Sequence, residues 1–104
     1  MWARVSRFEM PRDMIDEDIR ESKQAVQELL SRTQGSEGVY YMVDRDSGRT
    51  MAVTLWDSEE SMLASEQVAA EVREQSTQRA GGTIVGVERY EVAIQPSEIL
   101  AGMR

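Results

Sequence analysis

The chain has 104 residues, which suits a single domain, and its formal net charge is −7 at pH 7. This acidity argues against nucleic acid or an anionic membrane surface as a partner, because both are bound by basic protein faces. The sequence contains neither cysteine nor histidine, which excludes disulfides, thiolate chemistry, Ser-His-Asp catalysis and the usual zinc and haem ligands, and we expect no metal site.

The first third of the chain predicts a strand and then a helix. Residues 2–10 alternate along the chain and Pro11 ends the run, which is typical of a strand. One face of this strand carries Trp2, Arg4, Ser6 and Phe8. The helix is predicted from Asp13, an acid suited to the N-terminal position. Its buried stripe comprises Ile15, Ile19, Ser22, Val26, Leu29 and Leu30. The charged residues between them, Asp18 included, are assigned to solvent.

Residues 39–56 predict two strands joined by a tight turn. Residues 39–43 are apolar or aromatic at every position, which indicates that both faces are covered. Gly48 suits the left-handed position of the turn. In the next strand we assign Met51, Val53 and Leu55 to the helices. The other face carries Thr50, Ala52, Thr54 and Trp56. Its small side chains before a large aromatic one suit a hollow with a flat wall, but the residues alone favour Trp56 as a filler of the core or of an interface.

The last part predicts a helix, a long strand and a tail. Asp57 and Glu60 resemble a capping box for a helix that runs to about Gln78. Residues 83–94 then form a strand, in which Gly86 suggests a bulge. Residues 97–104 are either a short helix or a mobile tail. We therefore place the domain at residues 1–95 and the tail at residues 96–104.

The order of the elements indicates the fold. Strand, helix, strand, strand, helix, strand is the ferredoxin-like βαββαβ plan, an α+β fold with one antiparallel sheet and two helices on one face. The other face needs cover, and so short a chain buries limited surface alone. We therefore predict a homodimer in which two sheets face each other as a dimeric α/β barrel. A cytoplasmic location is expected, because no apolar run resembles a membrane span or a signal peptide.

Residues 55–62, LWDSEESM, open the second helix, and residues 88–94 read ERYEVAI. With the preceding strand–turn–strand, these segments resemble the antibiotic-biosynthesis-monooxygenase-like (ABM) domain of the dimeric α/β-barrel superfamily. The resemblance extends over residues 1–95 in order and spacing. It implies a cavity lined by Trp56 at the end of the third strand. Well-studied members oxidise polycyclic phenols with molecular oxygen and no cofactor, and commonly have an asparagine where this chain has Ser6. A haem-degrading branch uses an axial histidine, which this chain lacks.

The resemblance suggests roles for particular residues. The candidate catalytic residues are Trp56, to stack on a flat ring, Arg4, to stabilise a phenolate, and Ser6, to hydrogen-bond or relay a proton. The candidate substrate-binding residues are Phe8, Tyr41, Thr54 and Tyr90. Neighbours on a strand point oppositely, so the sequence leaves open which of Tyr40 and Tyr41 faces inward.

Three functions stay open. The first is a cofactor-free monooxygenase acting on a small aromatic or polycyclic metabolite. The second is a module that binds a small molecule without turnover. The third is a structural homodimer whose sheet faces pack solidly. The fold does not decide among the three, because one fold hosts many functions.

Overall fold

The sheet and its helices confirm the ferredoxin-like α+β plan. The computed structural model describes residues 1–103. The strands are β1 (Trp2–Glu9), β2 (Ser36–Val43), β3 (Arg49–Trp56) and β4 (Thr83–Glu91). The helices are α1 (Ile15–Ser31), α2 (Glu59–Ala64), α3 (Glu66–Ala80) and α4 (Pro96–Gly102), with a short 3-10 turn, Arg12–Met14, before α1. The sheet is antiparallel with the order β2-β3-β1-β4, so β1 is a central strand, hydrogen-bonded on both sides.

The helices cover the face of the sheet opposite to the predicted one. Arg4 lies across from Thr54, and Ser6 across from Ala52, so these side chains share a face. The Arg4 guanidinium reaches the carbonyl oxygen of Met62 in α2, which places that face under the helices. The side chains assigned to the helices lie on the open face instead: Met51, Val53 and Leu55. The assignment was wrong because the helix-covered face is the more polar of the two.

The second helix is broken where a single helix was predicted. α2 and α3 meet at Ser65, and the N-cap of α2 is Ser58, not Asp57. The break has a tertiary cause. The Met62 carbonyl oxygen accepts hydrogen bonds from Arg4 Nη2 at 2.7 Å and from the Ser65 hydroxyl at 2.7 Å. A side chain from a distant strand thus engages a carbonyl oxygen that a continuous helix would use for itself.

The element boundaries differ modestly from the predicted ones. β2 begins at Ser36 and β4 ends at Glu91, whereas residues 39 and 94 were predicted. The register of β4 shifts next to Gly86, as a bulge there requires. The turn between β2 and β3 has Gly48 at φ +80°. α4 begins at Pro96, and Arg104 of the predicted tail lies outside the described residues. Within residues 1–103, no helix is both long and apolar enough to cross a bilayer.

Candidate functional site

A cavity of about 80 Å³ lies between the sheet and the helices α1 and α3. The predicted site residues that line it are Arg4, Ser6, Phe8, Tyr41 and Thr54. Register places Tyr41 across from Ala52, on the helix-covered face, whereas Tyr40 is 63% exposed on the open one. The cavity is smaller than the roughly 150 Å³ that holds a benzene molecule. A ring therefore enters only if the surrounding side chains move.

Trp56 lies beside Arg4 and is not among the residues that line this cavity. Its side chain is fully buried, and its indole N–H donates to the Thr54 hydroxyl at 2.9 Å. The Arg4 guanidinium carbon lies 5.4 Å from the centre of the Trp56 ring, within the range of a cation–π contact. Trp56 therefore supports a wall of the cavity through Arg4 and does not form that wall itself.

Tyr90 lies away from the cavity. It is across from Ala3, on the open face of the sheet, and half of its surface is exposed. Its phenol donates to the carboxylate of Glu88. The register of β4 explains this position, because the residue across from Arg4 is Arg89, and its neighbour Tyr90 must point the other way.

Arg4 is the best-connected group at the cavity wall. Only 1% of its surface is exposed. Its Nη2 donates to the Met62 carbonyl and to the Ser65 hydroxyl at 2.7 and 2.6 Å, and its Nε donates to Glu66 at 3.4 Å. Burial lowers the pKa of Arg4 and the Glu66 carboxylate opposes that effect, so the guanidinium stays charged. Its Nη1 is buried without a partner among residues 1–103. A buried donor of this kind suits an anionic oxygen atom.

Two further arginines make this end of the cavity electropositive. Arg89 holds Glu66 from the other side, with Nη2 at 2.7 Å from Oε2. Hydrogen bonding from Arg89 holds the pKa of Glu66 below its usual value despite partial burial. Arg73 lines the cavity from α3. Burial and the nearby charge of Arg4 lower the pKa of Arg73. Arg4 and Arg89 thus both pair with Glu66, and Arg73 adds a further positive charge to the same end of the cavity.

The acidic group in the cavity wall is Asp18, which sequence reasoning placed in solvent. It is 2% exposed. Its Oδ2 accepts a hydrogen bond from the Tyr41 phenol, and its Oδ1 has no partner among residues 1–103. Burial and the bond to Asp18 raise the pKa of Tyr41 well above its usual value. A signal was present in the sequence, because positions 15, 18, 22, 25 and 29 follow alternating spacings of three and four along one helix face.

Sequence comparison finds relatives of undescribed activity. No family profile matches the chain. Two uncharacterized proteins of Mycobacterium tuberculosis, Rv2557 and Rv2558, are 32% and 30% identical to it over 93 and 94 residues. The matches cover 89% and 90% of this chain but 41% and 39% of those proteins. The chain therefore spans about two-fifths of the length of the curated relatives it matches.

Structural comparison matches nearly the whole chain. A candidate antibiotic biosynthesis monooxygenase from Nitrosomonas europaea superposes with a TM-score of 0.67 at 9% identity, over 90% of this chain and 100% of that one. This chain has an ABM-like ferredoxin-like fold. A dimeric ferredoxin-like protein from an uncultured marine organism superposes with a TM-score of 0.71 at 13% identity, over 91% of this chain and 97% of that one. MupZ from Pseudomonas fluorescens matches 98% of this chain and 80% of its own, with a TM-score of 0.69 and 11% identity. Such identities establish the fold and not the activity.

Proposed function

We propose that this ABM-like domain is a cofactor-independent oxygenase whose substrate is a compact phenol or enol bound in the cavity beside Arg4. The observation that carries the proposal is the Arg4 guanidinium, buried at the cavity wall with one nitrogen atom unpartnered. A fixed positive charge in a place of low dielectric stabilises a developing oxyanion strongly. The candidate monooxygenase among the structural neighbours supports the reaction class.

The proposed chemistry needs only the substrate and molecular oxygen. Loss of a proton converts the phenol or enol into an anion, and Arg4 stabilises its oxygen atom. The electron-rich anion then reduces oxygen at the adjacent carbon. For the keto tautomer of the substrate, the CH2 group beside the carbonyl plus O₂ yields a second carbonyl group plus water. One oxygen atom enters the product, and the other leaves as water together with the proton lost in the first step. Ser6 lines the sheet side of the cavity, as Arg4 does, and supplies a hydroxyl group for hydrogen bonding. Trp56 is a positioning residue, which holds the plane of the Arg4 guanidinium.

The size of the cavity favours a compact substrate. A volume of about 80 Å³ is well below the roughly 300–1,000 Å³ of pockets that enclose drug-sized ligands. A polycyclic substrate would require the helices to separate from the sheet, whereas a single ring requires smaller shifts. The same observation favours a second candidate function, a module that binds a small anion without turnover.

Oxygen uptake by the purified protein tests the proposal. The compact substrates would be hydroquinones and cyclohexane-1,3-dione, with anthrone as a polycyclic comparison that should react more slowly, all without added cofactor. Arg4→Lys is the test variant, because a lysine cannot engage Met62, Ser65 and Glu66 while keeping a donor free. Arg7→Lys is the matched control, since Arg7 lies on the open face and pairs with Glu88.

We expect uptake that falls at least about tenfold in kcat for Arg4→Lys, consistent with loss of one oxyanion donor, and stays unchanged in the control. Equal rates in both variants would refute the role of Arg4. Saturable binding without uptake would support the binding module instead. Absence of both binding and uptake would refute both functions.

We also propose that two copies of the domain pair through the open face of the sheet. Large apolar side chains stand exposed there: Tyr40, Met42 and Tyr90. A structural neighbour is described as a dimeric ferredoxin-like protein. Sedimentation equilibrium tests the dimer with Val53→Asp, on the open face, and Leu63→Asp, an exposed position on α2. We expect a monomer for Val53→Asp only. A monomeric wild type, or a dimer that survives Val53→Asp, would refute this interface.

A further inference from the structure

We infer that the ligand of this cavity is bifunctional. An oxyanion binds at the end that carries Arg4 and Arg73, and a hydroxyl group at the other end donates a hydrogen bond to Asp18. The inference rests on the proposed use of the cavity and adds the chemical class of the molecule. Its basis is that one cavity is lined by two oppositely charged groups, each more than nine-tenths buried and each with an unpartnered atom.

The Asp18 carboxylate has one oxygen atom to offer a ligand. Tyr41 occupies Oδ2, while Oδ1 is unpartnered among residues 1–103. Tyr41 keeps its proton across the physiological range, because burial and Asp18 disfavour the phenolate. The oxygen atom left at this end is therefore an acceptor, and it selects a ligand group that donates. Ser22, one turn further along α1, also lines the cavity and offers a second polar contact.

The two charged ends are separated by the architecture of the sheet. Arg4 is on β1 and Tyr41, the partner of Asp18, is on β2, with β3 between them. Arg4 lies in the row of Thr54 and Val39, whereas Tyr41 lies in the row of Ala52 and Ser6, two residues along. With strands about 4.8 Å apart and about 3.4 Å per residue, the two Cα atoms lie roughly 12 Å apart. A molecule with polar groups at opposite ends matches such a site better than a small single anion.

An internal ion pair would be the simpler use of these charges, and the structure does not form one. Arg4 pairs with Glu66, not with Asp18. Asp18 is bonded to Tyr41. A buried charge that lacks a full set of hydrogen bonds is costly unless another group completes it. A ligand that donates to Asp18 and accepts from Arg4 completes both sets at once.

Calorimetric titration tests the inference with matched probes. The first set is 4-hydroxybenzoate, benzoate and phenol; the second, without a ring, is 4-hydroxybutanoate and butanoate. In at least one set, we expect the hydroxy acid to bind at least about tenfold more tightly than each molecule of that set that lacks the hydroxyl or the carboxylate group. A hydrogen bond to a charged partner implies a difference of this size. We expect Asp18→Asn to reduce this preference to below about threefold, because it removes the charge-assisted acceptor.

One control variant keeps the test specific. Asp16→Asn removes a carboxylate that is exposed on the same helix and paired with Arg45, and should leave the preference intact. A preference that persists in Asp18→Asn, or equal binding of the acids with and without the hydroxyl group, would overturn the inference. So would an absence of binding in both sets, which would mean that the cavity holds only water.

The outcomes separate this inference from the proposed oxygenase. Oxygen uptake that requires Arg4 but is unchanged by Asp18→Asn would leave the oxygenase in place and overturn the bifunctional ligand. Hydroxy-acid selectivity that depends on Asp18, without any oxygen uptake, would support the bifunctional ligand and overturn the oxygenase.

Discussion

Replacing Glu66 by glutamine should destabilise the domain through the burial of Arg4. The substitution preserves shape and a hydrogen-bond acceptor but removes the negative charge between Arg4 and Arg89. Breaking a fully buried pair typically costs about 3–5 kcal/mol. Glu66 is 24% exposed, and Arg4 keeps its two neutral acceptors, so we expect a loss of about 2 kcal/mol. In a domain of this size, that corresponds to a fall in Tm of roughly 8–16 °C.

Urea unfolding of Glu66→Gln beside Glu71→Gln measures this effect. Glu71 pairs with Arg32 at 3.2 Å, and both side chains are nearly half exposed. That pair is screened by water, so its loss should cost under about 0.5 kcal/mol. The comparison isolates burial, because both variants remove one carboxylate from an Arg–Glu pair. Equal losses in the two variants would refute the idea that Arg4 depends on Glu66.

The same variant has a distinct pH dependence. The pKa of Glu66 is lowered in the folded state, so its contribution is fully present above the unfolded value of about 4.3 and is lost as the pH falls through the lower folded value. The stability difference between wild type and Glu66→Gln should therefore shrink in acid. A difference that stays constant from neutral pH down to about pH 3 would contradict this linkage.

Three further predictions concern single side chains. Trp56→Phe loses the indole hydrogen bond to Thr54 and should cost about 2 kcal/mol in urea unfolding; an unchanged stability would contradict the packing described. The folded state raises the pKa of Tyr41, so wild-type stability should fall as pH rises above about 10, and Tyr41→Phe should flatten that fall; identical slopes would refute it. Gly48→Ala should lower Tm, because φ is +80° and the added Cβ would lie 2.3 Å from a backbone oxygen atom, whereas Gly102→Ala, which meets nothing within 4 Å, should not.

The order of elements was predictable because their periodicities are strong. The run of alternating residues before Pro11, the helical stripe from Ile15 and the turn at Gly48 each define a local structure that packing did not change. The orientation of the sheet was not predictable by the rule that the more apolar face is inside. In β3, the apolar set Met51, Val53 and Leu55 is the outer one, because the helices cover the face that carries Arg4 and satisfy its guanidinium with groups of their own.

The candidate site was predictable only in part. The cavity residues contributed by the sheet, such as Arg4 and Ser6, can be predicted from the alternation of the first strand once the inward face of that strand is known. Asp18, Glu66 and Arg73 are charged residues on helices, and their types alone predict solvent exposure. Asp18 is held by Tyr41, and Glu66 by Arg4 and Arg89, which all come from strands distant in the sequence, and no local pattern specifies such partners.

The two faces of β1 separate two kinds of evolutionary change. Residues 4, 6 and 8 line the cavity, while residues 3, 5 and 7 face the other way. Point substitutions can thus alter the small-molecule site and the open face independently, one codon at a time. An insertion or deletion of a single residue within this strand would exchange the two sets over the rest of its length. Lineages of this domain should therefore tolerate substitutions in β1, above all at its outward positions, better than any change in its length.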